Sequence, residues 1–169
     1  TEPLRSNNQR GRAARDQILA AATELFAERG FTGTSIADIA TAAAVSKPSV
    51  LYHFPDKERL WIAAVEALWG EVEAFFEANW PRSTPPSRRL LSELLSLFVE
   101  ASITWPAYVR IPFIEGATPS WRSEWLVDRH FAGHVHLTDR ILLALQRRGE
   151  LPPGDVAFLQ AIMTSAVNT

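Results

Sequence analysis

The sequence contains no cysteine, a single methionine and no apolar run approaching the roughly 18 residues that a membrane span needs. Without thiols there are no disulfides, no thiolate zinc sites and no cysteine nucleophile, and a reducing cytoplasm is the natural compartment. Residues Thr1 to Arg12 are polar and basic and lack a hydrophobic stretch, so no signal peptide is expected. Short catalytic signatures are missing as well: there is no phosphate-binding P-loop, no GxGxxG, no HExxH and no GxSxG. The carboxylates are scattered at the spacings of a helix surface. Neither an enzyme nor a cofactor is expected.

What is present is ordinary globular material: 169 residues, 47% hydrophobic and 21% charged. That length suits one or two domains and buries roughly 70% of the unfolded surface. The net charge of -2 conceals an asymmetry. Residues 1–60 carry eight positive charges against seven negative, whereas residues 61–169 carry nine against twelve and hold all six tryptophans. A weakly basic head on an acidic, aromatic body permits an anionic partner at the head.

Helical periodicity dominates and no strand-like alternation persists. Ile18, Ala22, Leu25 and Phe26 form one stripe of a first helix over 12–29, which Gly30 stops. Thr34 or Ser35 can cap a second helix carrying Ile36, Ile39, Ala40 and Ala43, with Asp38 near the capping-box position. Ser46 caps a third over 47–53, with Pro48 in its first turn and Val50, Leu51 and Phe54 as apolar contacts. A fourth runs over 57–80, about 36 Å at ~1.5 Å per residue. A Pro- and Ser-rich linker follows. The fifth, over 87–104, is apolar around most of its circumference and is expected to be central. A sixth covers 107–116, and a seventh covers 120–148 with a break near Gly133. An eighth begins at Asp155.

The third helix is short, and its outward residues are donors and one cation: Lys47, Ser49, Tyr52 and His53, with Pro48 at the tip. Such a mixture meets phosphates and base edges, and a B-DNA major groove about 12 Å wide admits one helix. Two short helices, the second projecting, make a helix-turn-helix. By residue type alone, Tyr52 and His53 serve equally well as packing residues, and Lys47 and Lys57 as solvated lysines. Their order within one segment selects DNA contact. Four arginines, Arg5, Arg10, Arg12 and Arg15, read either as a mobile arm along the DNA or as a solvated leader.

Residues 12–60 resemble the DNA-binding domain of the TetR family of bacterial transcriptional regulators. The motifs are Ile18-Leu19-Ala20-Ala21-Ala22, Leu25-Phe26-Ala27-Glu28-Arg29-Gly30-Phe31, Thr34-Ser35-Ile36-Ala37-Asp38-Ile39-Ala40, Val45-Ser46-Lys47 and Leu51-Tyr52-His53-Phe54-Pro55-Asp56-Lys57-Glu58. The resemblance implies an all-α fold: an N-terminal three-helix, homeodomain-like helix-turn-helix domain over 1–56, joined by a long fourth helix to a helical ligand-binding and dimerisation domain over 57–169. It places Ser46, Lys47, Pro48, Ser49, Tyr52 and His53 at or beside the DNA, with Thr34, Ser35 and Lys57 gripping phosphates. Ala44 departs from the pattern, because the family usually has glycine in that turn. A left-handed alanine is costly, so a slightly altered turn is expected.

The resemblance also implies a homodimer through the last two helices, with Ile141, Leu142, Leu145, Val156, Leu159, Ile162, Met163 and Val167 as interface candidates. Their other reading is monomer core. Helices four to seven are expected to surround an effector site drawn from Trp69, Phe76, Phe98, Trp105, Tyr108, Phe113, Trp121 and Trp125. Arg110, Glu115 and His134 are its polar candidates, and ordinary core packing is the alternative for each aromatic. His130, His134 and His136 lack a clear further ligand, so a polar pocket rim or solvated helix face is expected rather than a metal. The combined expectation is a repressor that a small apolar or aromatic molecule releases from a palindromic DNA operator. The rivals are a ligand-dependent DNA binder or activator on the same fold, and a helical dimeric carrier or interaction protein without DNA binding.

Overall fold

The computed structural model describes residues 2–81 and 85–154, and side chains over 11–81, 85–131 and 139–154. These residues form α1 (Glu2–Arg29), α2 (Ile36–Ala42), α3 (Lys47–His53), α4 (Lys57–Asn79), α5 (Arg88–Thr104), α6 (Pro106–Gly116), α7 (Trp121–Leu126), a π-helical turn (Val127–Phe131) and α8 (Ala132–Arg147). No strand occurs among the described residues, and the chain is all-α.

Local chemistry sets the helix ends. Ser35, Ser46, Asp56, Ser87 and Ser120 each accept a backbone N–H of the following first turn, and at Ser35 Asp38 completes a capping box. Hydrogen bonding to Ser35 holds the Asp38 carboxyl below its ordinary range. At the end of α2, Ala44 N–H bonds Thr41 O and Val45 N–H bonds Ala40 O, a Schellman pair whose pivot Ala44 has φ 53°. The same pair closes α8 around Gly149, where φ is 70°. The turn is therefore kept rather than altered: alanine takes the left-handed conformation that glycine adopts without strain.

α4 is the central rod. Leu60, Trp61, Ala64, Val65, Leu68, Trp69 and Val72 are buried along it. They join Ile18, Ala22, Phe26, Ile39 and Val50 on one side and Ala101, Ala107, Tyr108, Ile111 and Leu126 on the other, in one core shared by head and body.

Four expectations are refined or corrected. α1 starts at Glu2, so the first helix is longer than the expected 12–29; Pro3 sits in the first turn, where its missing N–H costs nothing. α5 is not central: only Leu90 and Ala101 are buried, and Ile103 is 74% exposed. One face of α5, with Ser92, Leu95, Ser96, Val99 and Ile103, lines a shallow open groove of about 450 Å³. The break expected near Gly133 falls just before it and takes the form of the π turn Val127–Phe131. Ile141, Leu142 and Leu145 pack with Leu90, Leu91, Leu94 and Leu151 in a second core, so they are sequestered inside this chain rather than offered to a second copy. Val156, Leu159, Ile162, Met163 and Val167 lie outside the described residues.

Candidate nucleic-acid interface and effector site

α3 is held from behind. Val50 and Phe54 are buried against the core, and Ser46 caps the helix by accepting Ser49 N–H at 3.3 Å. What remains outward is Lys47, Pro48, Leu51 and Tyr52, with Ser49 and His53 at the flanks. Tyr52 is 85% exposed, and its only described ring neighbour is His53, edge-on at 5.2 Å. Leu51 is exposed rather than an inner contact, because 100° per residue turns it away from Val50. Ser35, also exposed, donates its hydroxyl to Asp38 Oδ2 at 2.6 Å. The face thus presents one cation, one phenol, an imidazole and apolar surface, with no carboxylate on α3.

Two residues expected to grip phosphates make hydrogen bonds within the fold. Thr34 is buried, and its hydroxyl donates to Leu25 O at 3.1 Å and Gly30 O at 2.9 Å. Lys57 Nζ donates to Phe31 O at 2.9 Å and Thr34 O at 3.0 Å, and stands 4.2 Å from the Phe31 ring centroid. The connector between α1 and α2 displays its carbonyls to the start of α4, and the ammonium satisfies them.

The other side of that connector faces the body. Phe31 N–H donates to Glu115 Oε1 at 3.0 Å, and Arg122 pairs with Glu115 Oε2 at 2.6 Å. Arg122 also covers the Phe31 ring at 4.5 Å, so the ring lies in contact with two cations. Glu115 and Arg122 are both largely buried, and their mutual pairing offsets the desolvation of each charge. Gly30 is required beside this clamp: its φ is 68°, and a Cβ there would stand 2.8 Å from Ile114 Cγ2. Arg122 escaped sequence reasoning, since its partners lie far along the chain; Glu115 was visible only as a charge in an apolar stretch.

The body aromatics divide. Trp69 packs on Tyr108 at 5.2 Å, on His130 at 5.0 Å and on Phe131 at 5.9 Å; Trp125 meets His130 at 5.2 Å; Phe98 meets Tyr108 at 6.1 Å. Burial, then the charge of Glu73, pushes the Tyr108 phenol up to about 12, so it stays protonated. Trp105 sits farther along α4, edge-on to Phe75 at 5.5 Å, and gives its indole N–H to Glu71 at 2.8 Å. Phe76, half-buried, lies beside Phe75 at 5.7 Å. Trp121 joins the head–body clamp, 6.2 Å from Phe31 and 5.5 Å from Trp61.

Phe113 and Arg110 are corrected outward: Phe113 is 68% exposed and Arg110 is exposed. Both project from the side of α6 opposite its buried Tyr108, Ile111 and Glu115. The His134 side chain lies outside the described residues. His130 is not on a solvated face, being buried inside the aromatic group. No metal-binding cluster occurs among the described residues.

Comparison with known proteins agrees with this geometry. Residues 18–64 match the model of the bacterial regulatory proteins of the tetR family. The chain is 33% identical over 115 residues to the HTH-type transcriptional regulator RutR of Escherichia coli (strain K12), covering 64% of this chain and 51% of that protein. It is 32% identical over 104 residues to the HTH-type transcriptional repressor NicS of Pseudomonas putida, covering 62% and 46%. The chain thus spans about half the length of the curated relatives it matches. The crystal structure of HlyIIR, a hemolysin II transcriptional regulator, superposes with a TM-score of 0.76 at 27% identity, over 93% of this chain and 86% of that one.

Proposed function

Because this chain belongs to the tetR family of bacterial regulatory proteins, we propose that it is a DNA-binding transcriptional regulator whose α3 enters the major groove. The observation that carries the reading is the outward face of α3, where Tyr52 stands 85% exposed beside Lys47 and Pro48 on a helix pinned by Val50 and Phe54. Ser46, Ser49 and His53 flank it, and Ser35 borders the groove from the start of α2. A large phenol left 85% exposed, with only the His53 edge described against its ring, is explained by a partner that covers it.

The functional form is a homodimer whose two α3 helices reach half-sites ~34–36 Å apart in a palindromic operator. A small aromatic molecule bound among Trp69, Phe98, Tyr108 and Trp125 releases it, making the protein a repressor of the cytoplasm. The sign is supported by the name of its relative NicS, a repressor. Release runs through the Glu115–Arg122–Phe31–Lys57 clamp. Shifting α6 and α7 against α4 moves the α1–α2 connector, and with it α2 and α3. The effector's preference for the released form sets the coupling, typically about 1–3 kcal/mol.

The test is fluorescence anisotropy against a duplex selected from random sequence, with a scrambled duplex as control. The expected preference is roughly 10³-fold or more. Tyr52→Ala is expected to weaken operator binding at least ~10-fold, the size of one lost base contact, at an unchanged unfolding midpoint. Unaltered affinity in that variant would sink the assignment of α3.

A further inference from the structure

His130 has no counterpart in the reading so far. It lies in the π turn Val127–Phe131, the single interruption between α7 and α8, and such turns recur at functional sites. Its residue is only 8% exposed, and among the described residues neither ring nitrogen has a hydrogen-bond partner. Buried imidazoles nearly always find two partners, because a neutral ring has one donor and one acceptor to satisfy. Around it are rings: Trp69 at 5.0 Å and 36°, Trp125 at 5.2 Å and 72°. The nearest charge is Glu73, whose Oε1 is 3.7 Å from Nδ1, beyond hydrogen-bond length.

We propose that His130 is the polar anchor of a ligand site between α4 and the π turn, and that the ligand is an aromatic molecule bearing an O–H or N–H donor aimed at His130 Nε2. The proposal rests on the effector-responsive reading above and names the chemistry of its ligand. Three features select that class. First, Trp69 and Trp125 offer faces and edges to a planar ring. Second, the Glu73 carboxylate favours the proton on Nδ1, which leaves Nε2 as the lone-pair acceptor, so the ligand must donate. Third, the other charges acting on His130 are Arg129 and Glu66, which approach each other to 3.9 Å on the exposed rim. No free cation is described beside the ring, and Glu73 repels an anion, so a carboxylate ligand is disfavoured. Because the imidazole is covered, a ligand reaching Nε2 parts the π turn from α4. That displacement carries α7, on which Arg122 and Trp121 hold Phe31.

Calorimetric titration of the chain, without DNA, with phenol, benzylamine and benzoate tests this. Phenol tests a neutral donor, benzylamine a cationic one, and benzoate is an anionic ring without a donor. Phenol or benzylamine is expected to bind at least ten-fold more tightly than benzoate. His130→Phe is expected to lose at least ten-fold of that affinity, and His130→Gln, whose amide oxygen still accepts, to recover part of it. Nitrogen-15 NMR is expected to show the Nε2 resonance of His130 shifting with the bound fraction. The proposal is overturned by equal or tighter benzoate binding, by undiminished affinity in a folded His130→Phe chain, or by no binding of either donor at 10 mM. Donor binding through His130 that leaves operator affinity unchanged upholds this inference and removes the effector reading. Operator release by these probes that ignores His130→Phe does the reverse.

Discussion

At the residue scale, the turn between α2 and α3 carries a measurable strain. Ala44 adopts a left-handed conformation that costs a non-glycine residue about 1–2 kcal/mol. Ala44→Gly is expected to raise stability by about 1 kcal/mol after its greater unfolded-state entropy is deducted. Thermal unfolding reads this as a rise of about 2–4 °C, with operator affinity unchanged. His130 makes a second prediction. Burial lowers its basicity below the ordinary 6.5, against the opposing pull of Glu73. The unfolded chain therefore binds the proton more readily. His130's contribution is fully present above about pH 6.5 and is lost as pH falls below it. Urea unfolding between pH 7.5 and 5 is expected to show that decline, and His130→Phe to flatten it.

At the element scale, the α1–α2 connector deserves the closest measurement, because α4, α6 and α7 all hold it. Removing one ion leaves the other buried alone. Arg122→Met is expected to destabilise by about 3 kcal/mol, the usual cost of breaking a buried pair. Adding Glu115→Gln is expected to recover part of this, since the amide oxygen still accepts Phe31 N–H. A double-mutant cycle by urea denaturation gives the coupling, and additive effects would show that the pair does not act as a unit. Lys57 belongs to the same element. Lys57→Met is expected to lower the unfolding midpoint and operator affinity together, whereas Tyr52→Ala lowers affinity alone. That contrast separates a residue that shapes the interface from one that touches DNA.

At the scale of the whole molecule, one core runs from Ile18 through α4 to Leu126. The head is not an independent unit resting on a body. Unfolding followed by far-UV circular dichroism and by tryptophan fluorescence is expected to give coincident transitions, although all six tryptophans lie beyond residue 60. A separated, earlier loss of helicity would mean the head melts by itself. On the proposed reading, the same continuity carries an event near His130 to α3 through packed elements.

Much of this was legible in the chain. Capping serines, the stop at Gly30, the α3 pattern and the all-helical periodicity are local properties, and local physics decides them. The resemblance over 12–60 pointed to the family by the same local motifs. The roles of Thr34 and Lys57 were not legible, because a hydroxyl or an ammonium shows its partner only when the carbonyls of Leu25, Gly30 and Phe31 are brought beside it. Nor was the outward turn of Phe113 and Arg110, the edge position of α5, or the burial of His130. The sequence by itself determined that the described chain is helical and where α2, α3 and α4 begin, because their caps are local. Tertiary packing alone decided which face of each helix met a neighbour, and so which polar groups became structural bonds and which imidazole was left without one.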